Sequence, residues 1–104
     1  MSDTGKTFKI EAAEITLKNL CARLINKKFE ALWLERFIDK FKLTHKPFGP
    51  NGQPNQATIY TTDNKGIKIP KSAETHLKDI KNDVEELELQ EGAINSLISE
   101  LKRE

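Results

Sequence analysis

The chain is 104 residues with 37% hydrophobic and 32% charged residues, so it is long enough for one small domain plus one extended element. Its longest apolar run is the four-residue "ALWL", far short of a membrane span, and its single cysteine, Cys21, has no partner for an intrachain disulfide. The net charge of +1 hides a segregation. Residues 1–71 carry 13 Lys/Arg against 7 Asp/Glu, whereas residues 72–104 carry 4 against 9, which points to a basic head and an acidic tail with separate tasks.

In chain order, "MSDTGKTFK" lacks the apolar stretch of a secretory leader, and with the lone cysteine this favours a reducing, cytoplasmic setting. "KTFKI" is a candidate third strand. A first helix is predicted from Glu11 to Asn26, with Ala13, Leu17, Leu20, Cys21 and Leu24 as its apolar stripe. Within that stripe Cys21 reads as a small core residue. "INKKF" is expected to break the helix. A second helix follows from about Phe29 to Leu43, with Leu32, Trp33, Phe37, Ile38 and Phe41 on a wide apolar face and Trp33 as its core anchor.

Residues 44–55, "THKPFGPNGQPN", hold three prolines and two glycines and predict a long exposed loop. Next, "ATIYTTDNKGIKIP" reads as a β-hairpin. Period-two β-branched residues lead to a "DNKG" turn in which Asn64 and Gly66 tolerate positive φ. Lys65 and Lys68 lie on that hairpin, and Pro70 is expected to end its second strand.

From Ala73 the tail follows an unbroken heptad: Ala73, Leu77, Ile80, Val84, Leu87, Glu91, Ile94, Ile98 and Leu101. Ser72 is placed to cap this helix. Leu77, Ile80, Val84, Leu87, Ile94, Ile98 and Leu101 are the candidate dimerisation residues, because the head looks too small to cover four heptads; the alternative is a helix that docks on its own head. Glu91 is the flaw in the seam, and Gly92 beside it weakens the helix by roughly 1 kcal/mol.

The fold class expected is mainly α with a small β-hairpin: a basic head over residues 1–71 and a C-terminal coiled-coil helix over 72–104. "ITLKNLCARL", "LWLERFIDKFKL" and "IYTTDNKG" together resemble the core of small winged helix-turn-helix transcription regulators of the MarR and PadR kind, over roughly residues 15–66. That resemblance implies that Leu17 and Leu20 pack a positioning helix, that Arg36 lies on a recognition helix, and that Tyr60 and Gly66 bracket a wing. "IKIP" departs from it, since a helix usually starts there in those families. The basic residues Lys28, Arg36, Lys40, Lys46, Lys65 and Lys68 are candidate contacts to double-stranded DNA, whose phosphates demand such cations. A homodimer joined through the tail would then read two half-sites.

The other reading is a protein-interaction adaptor or inhibitor working through the coiled coil or the basic head. No cofactor or metal is expected. The sequence lacks a glycine-rich phosphate loop, a Ser/His/Asp order and Cys/His zinc spacing, and His45 and His76 read as surface residues.

Overall fold

A computed structural model describes residues 2–104. The order of elements is α1 (Ser2–Thr44), β1 (Thr58–Thr62), β2 (Lys68–Ser72) and α2 (Ala73–Arg103). The protein is therefore mostly helical, with a two-stranded antiparallel hairpin between its helices and a long C-terminal helix, as the sequence predicts at that level.

Two expectations fail near the N-terminus. "KTFKI" is helical, not a strand, and the break at "INKKF" does not occur, so α1 runs through both segments. The physical reason is visible in the residues. "INKKF" has neither glycine nor proline, and Asn and Phe each cost a helix only a few tenths of a kcal/mol. Two ion pairs also hold the stretch, Lys27 to Asp83 at 3.5 Å and Lys28 to Glu88 at 3.4 Å.

The chain divides into two compact units. The first unites the residues up to Lys28 with Asn82–Glu104, and the second is Phe29–Lys81. The expected boundary at 71/72 falls at the end of β2, within the second unit.

In the first unit α1 and α2 run antiparallel, as the Glu14–Lys102, Cys21–Glu91 and Lys27–Asp83 contacts require. Leu20, Leu24 and Leu87 form its core cluster, with Val84 packed against it. The heptad of α2 therefore meets α1 of its own chain. Leu87, Ile98 and Leu101 are buried there, and Val84 and Ile94 are half-buried.

In the second unit Leu34 and Ile80 are the largest fully buried side chains, at 0% and 1% exposure, with Ile38, Ala57 and Ala73 also buried and Leu77 half-buried. Trp33, expected as the core anchor, is 53% exposed. It stacks instead on Phe37 one turn away, with ring centroids 5.6 Å apart. The cause is register. Ala13, Leu17, Leu20, Leu24, Ala31, Leu34, Ile38 and Phe41 follow one heptad register over residues 13–41 of α1, interrupted only by Lys27, and Trp33 lies off it.

Helix α1 ends where Pro47 excludes helical geometry for Lys46. The Thr44 hydroxyl donates to the Lys40 carbonyl at 3.0 Å, and the His45 ring stacks on Phe41 at 4.0 Å. The proline-rich loop that follows is self-bonded. Gly49 N–H donates to the Gln53 carbonyl at 2.7 Å, Asn55 N–H to the Pro47 carbonyl at 3.0 Å, and the Asn55 side chain to the Lys46 carbonyl at 2.8 Å.

Candidate functional site

The hairpin is set by its turn. Asp63 N–H donates to the Ile67 carbonyl, and Gly66 N–H donates to the Asp63 carbonyl, both at 3.0 Å. The Asp63 carboxylate accepts from the N–H groups of Lys65 and Ile67, each at 2.9 Å. Gly66 takes a φ of +80°, which makes this a three-residue turn with a left-handed glycine. Asn64 does not adopt positive φ.

The register pairs Thr58 with Ser72, Ile59 with Lys71, Tyr60 with Pro70, Thr61 with Ile69 and Thr62 with Lys68. Pro70 thus lies in the middle of β2 rather than at its end. Ser72 is the last strand residue, and Ala73 N–H goes to the Ala57 carbonyl at 2.8 Å, which joins the sheet to the start of α2. The bonds at 57–73 and 63–67 fix the alternation: the odd-numbered residues of β1 make the ladder bonds, while Thr58, Tyr60 and Thr62 turn their backbone groups to the outside. Pro70 belongs to the outward set of β2, where its missing N–H costs the ladder nothing.

The six candidate DNA contacts are all exposed. Lys28 belongs to the first unit and is engaged with Glu88. Arg36, Lys40, Lys46, Lys65 and Lys68 belong to the second, and among the described residues none of these five forms an ion pair. Arg36 and Lys40 sit one turn apart on α1. Lys65 is at the hairpin tip, and Lys68 shares the Tyr60 face of the sheet. Other lysines of the same unit are paired: Lys42 with Glu74, Lys71 with Asp79 and Lys81 with Glu35, at 3.5, 2.6 and 3.1 Å. The short Lys71 contact holds the Asp79 carboxyl below the usual carboxylate range.

His76 is not the surface residue expected. Its ring is largely covered, and Nε2 lies 3.2 Å from Glu30 Oε1. Among the described residues no three His, Cys, Asp or Glu side chains converge as metal ligands. None of the helices there is long and apolar enough to cross a membrane.

Sequence reasoning overlooked an apolar surface. Phe29 is 69% exposed, and Leu32, Trp33 and Leu43 are also exposed on α1 of the second unit, facing away from buried Leu34 and Ile38. The signal was present in the i, i+3, i+4 spacing of Phe29, Leu32 and Trp33. It was masked because the same residues fit an inward face as well as an outward one. In the first unit Phe8, Ala13, Ile94, Leu97 and Leu101 line a shallow apolar groove of about 450 Å³.

No family model, no curated protein and no solved structure matches the chain.

Proposed function

We propose that the protein is a protein-interaction module that presents the Phe29–Leu43 stretch of α1 to a partner. The observation that carries this is the exposure of Phe29, Leu32 and Trp33 on one face of that stretch. Large apolar side chains clustered on a small surface mark docking sites, and tryptophan is prominent among residues that dominate binding energy. Their i, i+3, i+4 spacing matches the anchors of a helix laid into an apolar groove. Arg36 and Lys40, free of intrachain ion pairs among the described residues, flank the patch and suit a partner with an acidic rim.

The test is affinity capture from native extract with the wild-type chain and with a Phe29→Ser/Trp33→Ser variant. Both residues are exposed, so the variant should retain its helical circular dichroism. A defined protein held by the wild type and lost by the variant supports the reading. Equal capture by both sinks it.

A second reading is a small regulator that binds double-stranded DNA, with the hairpin acting as a wing. Arg36, Lys40, Lys46, Lys65 and Lys68, without an ion pair among the described residues, favour it, because phosphate neutralisation requires cations not already satisfied. Random duplex titrated at low and moderate salt separates the two. If the DNA reading holds, Lys65→Ala/Lys68→Ala weakens binding to all sequences alike and flattens the salt slope. A wild-type chain with no affinity at low salt removes this reading and leaves the first untouched.

A further inference from the structure

The two edges of the hairpin are unlike. On β2 the outward residues are Lys68, Pro70 and Ser72, so that edge lacks one donor and carries a charge, the two devices that block strand addition. On β1 the outward residues are Thr58, Tyr60 and Thr62, uncharged and exposed, each with an N–H and carbonyl that point away from β2 by the alternation above and have no partner among the described residues. A two-stranded sheet is marginal by itself, and here Ile67 and Ile69 remain exposed.

The open edge is also self-complementary. Thr, Tyr and Thr read the same in both directions about Tyr60. We infer that β1 pairs antiparallel with β1 of a second copy, on a two-fold axis at Tyr60, to give a four-stranded sheet in the order β2–β1–β1–β2.

In that register Tyr60 meets its own symmetry mate, Thr58 meets Thr62, and Ile59 meets Thr61. Aromatic pairs and threonine pairs opposite one another are favourable across antiparallel strands. Charge agrees with the choice of edge. β1 holds no ionisable side chain apart from the Tyr60 phenol, whereas Lys65, Lys68 and Lys71 lie at the turn and on β2. The two lysine sets therefore end up on the outer strands, about three strand spacings or ~14 Å apart. Pairing through β2 would instead bring Lys68 and Pro70 to the axis.

Tyr60 would sit in a hydrogen-bonded pair with its mate, at a Cα separation of about 5.5 Å. That lies within the range a disulfide spans, roughly 4.4–6.8 Å.

The experiment uses the full chain with Cys21→Ser as background. Sedimentation at micromolar concentration is expected to show a dimer, and Tyr60→Lys, which sets two ammonium groups on the axis, to weaken it by about tenfold or more. Tyr60→Cys is expected to form a disulfide dimer in air. Thr58→Cys and Thr62→Cys are expected to cross-link when mixed but not singly, because only 58 faces 62. A monomeric wild type overturns the inference. So does a dimer that survives Tyr60→Lys, or one whose Tyr60→Cys form stays uncross-linked while circular dichroism shows it folded.

Discussion

The Cys21 thiol donates a hydrogen bond to Glu91 Oε2 at 3.3 Å, across seventy residues of chain. The apparent flaw in the α2 heptad is thereby half-covered and given a partner on α1. A carboxylate among apolar neighbours is costly when left unbonded, and the thiol supplies a weak donor there. The bond, partial burial and the negative charge each favour the protonated thiol, so its pKa lies above the ordinary thiol value.

Alkylation of Cys21 should accordingly rise with pH along a curve displaced upward from that of a free thiol. Glu91→Gln, which keeps an acceptor and removes the charge, should move the curve back down. The sign for stability follows. A group whose folded pKa is raised contributes stability below its unfolded value, about 8.5, and that contribution fades as pH climbs through the folded value. An alkylation curve unaffected by Glu91→Gln would separate the two residues.

Gly92 lies inside α2, and a Cβ built there meets no heavy atom within 4 Å. Gly92→Ala should therefore stabilise the protein by about 0.5–1 kcal/mol, by reducing the freedom of the unfolded chain without any steric penalty. Chemical denaturation should show a higher midpoint with an unchanged slope.

Neighbouring residues Trp33 and Leu34 should respond in inverse order to their size. Leu34→Ala removes a side chain that is fully enclosed and should cost about 2–5 kcal/mol. Trp33→Ala removes a half-exposed ring and its stack on Phe37, so it should cost on the order of 1 kcal/mol. Thermal melts of the two variants decide this, and a larger loss for Trp33→Ala would contradict the register of α1.

Asp79 should titrate at lower pH than an ordinary aspartate, first because Lys71 Nζ donates to it at 2.6 Å and then because of the lysine's charge. With the folded pKa depressed, the stability it lends is present above the unfolded value, about 3.9, and is lost as pH falls through the folded one. Carboxyl chemical shifts followed against pH should show the low midpoint, and Lys71→Met should restore an ordinary one.

Elements whose signals are local were legible in the residues. The α2 heptad needs only spacing, and the turn of the hairpin needs only Asp63 and Gly66, whose backbone bonds close within five residues. The break at "INKKF" was a misreading of the same kind of signal, since no residue there stops a helix. Among the described residues five of the six proposed basic contacts carry no intrachain ion pair, but that depends on which carboxylates the fold brings near, and spacing along the chain is silent on it.

By itself, then, the sequence determined a mainly helical chain with one hairpin and a heptad-patterned C-terminal helix, because periodicity and turn chemistry are properties of short segments; that the two helices expected before the hairpin are one was decided by the fold. Tertiary structure alone decided what each seam would meet. Leu87 is an apolar residue in need of a helix whether that helix belongs to a second copy or to α1, and in the first unit it is buried with Leu20 and Leu24 of α1. The same holds for Leu34 and Trp33: an α1 with apolar residues on opposite faces has two candidate inner sides, and only the position of the packing partner tells which one is withdrawn from water.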